Sequence, residues 1–410
     1  MSNLGDVLRQ VVCTPKHIPD DWQFYKLTDI CNPKQWKTIS ATEMTESGYP
    51  VFGANGFVGF YHEYNHEHEA VAITCRGNTC GTINRIPSKT YITGNSMALD
   101  DIKRNVITQD FLYYALKYRG VGDSISGSAQ PQITGAGLRS IEFPAPPLHE
   151  QQKIATILSS VDDVIEKTRA QIDKLKDLKT AMMQELLTKG IGHTEFKDSP
   201  VGRIPITWHI SELIEYLSYI SYGFTNPMPE SDKGPFMVTA KDINGLAIQY
   251  LGSRKTTQEA FNDLLTEKSR PKINDVLLTK DGTLGRVALV DRSGVCINQS
   301  VAVLRPNEKI LPKFLLYLLA APSYQREMLD KAGGSTIKHI YITVVDKMKV
   351  AVPELTEQKK IVDALDALIS KILLSEVKLI QYTGIKKALM QDLLTGKVRV
   401  NLTDKESAVV

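Results

Sequence analysis

Cysteine is scarce in this chain, with five residues, at positions 13, 31, 75, 80 and 296, among 410. An odd and scattered set does not make a disulfide framework, so free thiols in a reducing compartment are expected. Long apolar runs are also missing. No stretch approaches the ~20 residues that cross a bilayer, and residues 1–17 lack the extended apolar core of a secretory signal. Membrane insertion and export are therefore not expected, and the cytoplasm is the expected location. There is no Gly-x-x-x-x-Gly-Lys-Ser/Thr loop, so a phosphate-loop ATP motor within this chain is excluded. Charge of one sign is absent too: 49 basic against 46 acidic residues leave +3. That balance neither requires nor excludes nucleic acid, because a basic face can be offset elsewhere.

What is present is the composition of a folded soluble protein, 42% hydrophobic and 23% charged, unlike a disordered or fibrous chain. At roughly 150 residues per domain the length accommodates two or three domains, each able to bury its own core. The chain also repeats itself. Glu150-Gln151-Gln152-Lys153-Ile154 recurs as Glu357-Gln358-Lys359-Lys360-Ile361, and Met183-Gln184-Glu185-Leu186-Leu187-Thr188 as Met390-Gln391-Asp392-Leu393-Leu394-Thr395, both at an offset of 207 residues. The offset holds from Gly127 and Ile133, matching Gly334 and Ile340, through to Thr188 and Thr395. Upstream it drifts to 204 between Ser96-Met97-Ala98-Leu99 and Ser300-Val301-Ala302-Val303, and to 186 between Ile18-Pro19-x-x-Trp22 and Ile204-Pro205-x-x-Trp208. Between these anchors the halves share little. Pro50-Val51-Phe52-Gly53-Ala54-Asn55-Gly56 finds no obvious counterpart in Gly234-Pro235-Phe236-Met237-Val238.

Each half closes with an apolar 4,3 alternation: Ile154, Leu158, Val161, Ile165, Ile172, Leu175, Met182 and Leu186, then Ile361, Leu365, Leu368, Ile372, Leu379, Tyr382, Leu389 and Leu393. Thr168 and Lys179 interrupt the first series, Ser375 and Lys386 the second, at the same two places. This is a heptad seam. At ~1.5 Å per residue, roughly 39 residues make a rod of about 58 Å, which needs support along its length. Each helix could pack on its own domain alone; the shared seam favours pairing of the two with each other, antiparallel, with a pseudo-two-fold relation between the halves. Gly384 would loosen the second helix locally. Phe143-Pro144-Ala145-Pro146-Pro147-Leu148 and Val350-Ala351-Val352-Pro353-Glu354-Leu355 read as strands ending just before helix starts. The domain bodies read as short strands with glycine turns, such as Ala70 to Thr74, Asp275 to Thr279 and Val287 to Val290, interrupted by helices at Asp110 to Arg119 and Leu311 to Ala321. The expected class is α+β: a first domain over 1–146, a spacer helix over 147–192, a second domain over 193–352, a second spacer helix over 353–398, and a tail over 399–410.

This order resembles the specificity subunit of a type I restriction-modification system. The resemblance covers nearly the whole chain. It rests on the order of domain, Pro-x-Leu-x-Glu-Gln-x-x-Ile helix, domain and helix, and on the Ile-Pro-x-x-Trp start of each domain. It rests also on the run from Tyr49 to Tyr61 and on Ala240-Lys241-Asp242-Ile243. It implies two target recognition domains, each reading one half of a split site in double-stranded DNA, and a helical spacer that docks two methyltransferase (modification) subunits. Restriction/translocase subunits would join them. The chain itself would bind no cofactor; S-adenosylmethionine would belong to the methyltransferase partner and ATP with magnesium to the motor partner. Two unlike readers on a rigid spacer would recognise a bipartite, asymmetric site, since B-DNA presents its major groove again after ~34 Å.

The residues agree with a non-catalytic role. No Asn-Pro-Pro-Tyr or Asp-Pro-Pro-Tyr segment of amino-methyltransferases occurs, and Ala145-Pro146-Pro147-Leu148 lacks the polar residue that would hold a base amino group. Gly53-x-x-Gly56-x-x-Gly59 reads as a turn between strands rather than a nucleotide loop. His62, His66 and His68 with Cys75 and Cys80 could suggest zinc, but the cysteine gap is loose and the second half has no equivalent, so no metal ligand is assigned. For DNA contact, two matched polar turns stand out, Thr74-Cys75-Arg76-Gly77-Asn78-Thr79 and Thr279-Lys280-Asp281-Gly282-Thr283. Arg and Lys meet guanine or phosphate and Asn reads adenine; the bland alternative is an ordinary glycine turn. Arg76, Asn78, Thr79, Lys280 and Thr283 are the candidates there. A second matched loop supplies Gln130, Gln132, Lys338 and His339, and a short basic patch supplies Arg254 and Lys255, for which a solvated turn is the plainer reading.

Overall fold

The computed structural model describes residues 18–54, 56–127, 130–334 and 338–401. Cys13, Asn55, Ser128, Ala129, Ser335, Thr336, Ile337 and the tail beyond 401 lie outside the described residues. Two compact units form, one from residues 1–169 with 377–410, the other from residues 170–376. The long helices Leu148–Leu186 and Leu355–Leu394 each contribute one end to each unit.

In the first unit a four-stranded antiparallel sheet runs in the order Asn32–Gln35, Ser96–Asp100, Ala70–Thr74, Ile83–Ile86. Strand Ala70–Thr74 is buried at every residue, and its alternating side chains serve two cores. Val71 and Ile73 pack with Phe111, Leu112, Tyr114 and Leu116 of helix Gln109–Arg119 and with Ile154 and Leu158 of the spacer. Ala70 and Ala72 pack with Ile86, Ile92 and Ala98. That second core leads to a three-stranded sheet, Gly56–Tyr61 antiparallel to Tyr49–Gly53, which runs parallel to Tyr91–Ile92.

The second unit repeats the plan. Its four-stranded sheet runs Leu217–Tyr222, Val301–Pro306, Val276–Thr279, Val287–Leu289, and Val276 and Leu278 face Phe314, Leu315 and the spacer residues Ile361 and Leu365. Leu277 faces the other way, toward Val238, Val295 and Ile297. Its three-stranded sheet sets Arg254–Lys255 antiparallel to Ser231–Val238, which runs parallel to Val295–Ile297. Here the structure corrects the sequence reading of Pro50 to Gly56. Val51 and Phe52 pair with Tyr91 and Ile92 as Phe236 and Met237 pair with Val295 and Cys296, so Pro50-Val51-Phe52 and Pro235-Phe236-Met237 hold one position in the frame. The likeness is hidden because a tight turn follows Gly53, whereas a long excursion with its own small hairpin separates Val238 from Arg254.

Within each unit the spacer helices run antiparallel. Lys386 pairs with Asp162 in the first unit, and Lys176 lies 2.7 Å from Glu376 in the second. Every residue of the heptad seam is buried or half-buried, and at the end of the first helix Met183 and Leu187 lie deeper than Met182 and Leu186. The helix continues unbroken through Gly384. Lys386, an interruption in the seam by sequence, is only 14% exposed, and Tyr114 donates to the same Asp162 at 2.8 Å. In the second unit Tyr317 and Lys313, both on the domain helix Pro312–Ala320, meet on Asp366. Each domain helix is thereby stapled to a spacer helix.

The helix starts are tied by the repeated Glu-Gln pair. Gln151 donates to the carbonyls of Val106 and Pro146 at 2.9 and 2.8 Å and accepts from Thr108 N–H at 2.8 Å. Gln358 donates to Lys309 and Pro353 at 3.0 and 2.9 Å and accepts from Leu311 N–H at 2.8 Å. Beside them, buried Glu150 takes a bidentate bond from Arg399 at 2.8 and 2.7 Å. Glu357 accepts from Ile191 N–H at 3.0 Å and from Trp208 at 3.2 Å, and lies 2.8 Å from His193 Nε2. In each unit the glutamate at one helix start thus holds the segment that follows the other helix.

Candidate nucleic-acid interface

The two polar turns of the sequence sit at the same place in the two four-stranded sheets. Ala70–Thr74 leads into the first turn and Val276–Thr279 into the second. Each turn closes on its threonine: Thr74 N–H donates to Thr82 at 2.9 Å and Gly81 N–H to Thr74 at 2.8 Å, while Thr279 N–H donates to Arg286 at 2.8 Å and Gly285 N–H to Thr279 at 2.9 Å. Gly77 and Gly282, with φ of 81° and 78°, supply the left-handed residue that lets the chain reverse.

The amide and basic loops come to the same turns. Ile133 N–H donates to Cys75 O at 3.0 Å and Arg76 bridges to Gln132; Ile340 N–H donates to Lys280 O at 2.9 Å and Asp281 bridges to His339. The first unit therefore gathers Arg76, Asn78 and Thr79 with Gln132, all exposed, and the second gathers Lys280 and Thr283 with His339. Gln130 and Lys338 are exposed on the same loops. These hydrogen bonds set a register in which Cys75 matches Lys280 and Arg76 matches Asp281, so the two cations do not share a position.

The two clusters differ in charge. Among the described residues no carboxylate pairs with Arg76. Lys280 Nζ lies 2.7 Å from Asp281 Oδ2, and His339 Nδ1 lies 2.5 Å from Asp281 Oδ1. Partial burial pushes the Asp281 carboxyl up, but the hydrogen bonds and charges of Lys280 and His339 outweigh it and hold the group below the ordinary carboxylate range. Exposed Tyr222 and Tyr341 flank the triad, with Lys280 5.5 Å from the Tyr222 ring. Asp281 has no visible role in the sequence, because its partner His339 stands 58 residues away.

In the first unit the tip of the Tyr49–Gly53 and Gly56–Tyr61 hairpin joins the cluster, since Thr74 and Thr79 hydroxyls both donate to Ala54 O, at 3.2 and 2.9 Å. Phe57 and Val58 stand exposed there. Arg254 and Lys255 belong to a different sheet. They line an open cleft of about 730 Å³ with Glu230, Asp232, Phe236 and Tyr250, and Arg254 is bonded to Glu230 at 2.6 Å. Ala240-Lys241-Asp242 forms a capped turn in which Asp242 accepts from Thr239 N–H and hydroxyl at 2.9 and 2.7 Å, a local structural role for that phrase.

His66 lies in a polar knot, 3.0 Å from Asp100 and 2.7 Å from Asn65, with Trp36 donating to Asp100 at 3.1 Å; His62 and His68 are exposed. Among the described residues no three His, Cys, Asp or Glu side chains form a metal-ligand set, and no helix is long and apolar enough to cross a membrane. Cys31, Cys75, Cys80 and Cys296 are free thiols, and burial pushes all four up, Cys31 and Cys296 to about 12.

The chain is thus a duplicated domain on antiparallel helices, with a polar turn at one place in each copy. The type I restriction modification DNA specificity domain matches residues 19–177 and again 228–382, and the chain belongs to that family. As a member it is a non-catalytic DNA-recognition component of a type I restriction-modification system. It is 25% identical to the type I restriction enzyme MjaVIII specificity subunit of Methanocaldococcus jannaschii over 93% of this chain and 94% of that one. It is 24% identical to the EcoBI specificity subunit of Escherichia coli, over 65% of this chain and 60% of that one. The fold is similar to the crystal structure of the type I S subunit from M. genitalium, with a TM-score of 0.62 and 16% identity over 95% of this chain and 98% of that one.

Proposed function

We propose that the chain reads a bipartite, asymmetric DNA site, one half through the domain over 1–146 and the other through the domain over 193–352, and docks two methyltransferase subunits on its paired spacer helices. The observation that carries this reading is the recurrence of one polar cluster at one position of a duplicated frame, exposed in the first copy and partly exposed in the second, with unlike residues in the two. Base edges in the major groove differ in donor and acceptor pattern, so unlike side chains at a shared position select unlike bases. Arg76, Asn78, Thr79, Gln130 and Gln132 are the proposed contacts of the first half, and Lys280, Thr283, Lys338 and His339 those of the second. Arg254 and Lys255 are assigned only to the flank of the second half, as they belong to a different sheet from the strand that leads into the turn. S-adenosylmethionine, and ATP with magnesium, serve the methyltransferase and restriction/translocase partners, in the cytoplasm.

The test is to sequence methylated bases in DNA from cells carrying the chain with its methyltransferase. The reading expects one motif made of two short, different parts at a fixed separation. A single uninterrupted motif, or methylation without sequence preference, would overturn it.

A further inference from the structure

The matched register places residues of opposite charge at one position of the shared frame. Arg76 bridges to Gln132 in the first unit where Asp281 bridges to His339 in the second. A carboxylate on a surface turned toward phosphates is repelled unless it is offset, and the second unit supplies the offset, with Lys280 on Oδ2 and His339 on Oδ1. The two bonds also fix the plane of the carboxylate. Each oxygen keeps a further lone pair for an incoming donor, and the side chain remains 21% exposed. Among base edges in the major groove the donor that suits a carboxylate is the cytosine N4 amino group, whereas the cation at the matched position suits the guanine O6 and N7 acceptors.

We infer that Asp281 is a specificity-determining residue of the second domain, reading a cytosine amino group, and that Lys280 and His339, besides their proposed DNA contacts, hold its carboxylate in place. The inference rests on the DNA-reading assignment of the turns made above. Because the carboxylate is held before DNA arrives, contact costs little ordering. Charge reversal at a shared position also explains how one fold reads two different half-sites without changing its frame.

The test is selection of randomised DNA duplexes by the full chain assembled with its modification subunits, for the wild type and for Asp281→Asn, Asp281→Ser and Arg76→Ala, each first matched to the wild type in melting temperature. The expected result for Asp281→Asn is a change at one base pair of one motif part, from cytosine toward adenine, since asparagine pairs with adenine N6 and N7, with about a tenfold swing in preference. Asp281→Ser should select weakly at that pair and keep the rest, and it stands in if Asp281→Asn melts early. Arg76→Ala should leave that part of the motif intact. The wild-type motif unchanged in both Asp281 variants, or affinity lost equally for all duplexes, would overturn the inference while leaving the DNA-reading assignment standing. A wild type that selects no motif would instead remove that assignment, and this inference with it.

Discussion

Gln151 and Gln358 make the same three backbone hydrogen bonds in the two units, and both side chains are buried, at 1% and 0% exposure. Each amide joins the first turn of a spacer helix to the strand end before it and to the chain leading into the domain helix. Neither residue touches the polar clusters. The pair explains why a Glu-Gln-x-x-Ile phrase recurs: it is the joint that fixes a domain on its spacer helix.

Replacing Gln151 or Gln358 with Leu would bury two carbonyls and one N–H without partners, at about 1–3 kcal/mol for each group left unpaired. Chemical denaturation of each full-length variant checks this. Wild-type midpoints would mean that the joint is not held by the amide.

The spacer pairing is tested by contrast between buried and exposed positions. Ile172→Asp and Ile372→Asp, at 5% and 7% exposure, place a charge in the seam and should cost several kcal/mol and abolish assembly with the methyltransferase. Lys176→Ala removes a mostly exposed ion pair and should change stability by less than about 1 kcal/mol. Thermal melting and size-exclusion chromatography separate the two outcomes.

Arg399 links Glu150 to Asp21, and its hydrogen bonds hold Asp21 below the ordinary carboxylate range. A carboxyl whose folded pKa is depressed adds stability that is present above its unfolded value, near 3.8, and lost as pH falls through the lower folded value. Arg399→Ala also leaves buried Glu150 without its cation and should destabilise the chain at neutral pH by about 2 kcal/mol, with the half-exposed Asp21 contributing the smaller part. The gap between variant and wild type should narrow below pH ~4. Melting curves across that range check the sign; a gap that widens in acid would contradict the account.

The architecture was legible where the signal is local and repeated. Heptad spacing gives the spacer helices and their seam, and a fixed offset that matches Gly127 through Thr188 to Gly334 through Thr395 gives the duplication. The match of Pro50-Val51-Phe52 to Pro235-Phe236-Met237 was not legible, because it is carried by strand pairing rather than by side-chain identity, and the connections after it differ in length. The polar turns were visible as glycine turns after buried strands. Their charge balance was not, since the partner of Asp281 comes from a loop distant in sequence, and the register that sets Arg76 against Asp281 depends on hydrogen bonds to Ile133 and Ile340.

Independence of the two readers is the central claim, and domain exchange measures it most directly. The body over residues 15–146 is replaced by that of another family member with a known site, the Gln151 joint and both spacer helices are kept, and methylated bases are sequenced in cells carrying the hybrid. The account predicts that one part of the motif changes to that of the donor while the other part and the separation stay as they were. A change in both parts together, or in neither, would contradict it.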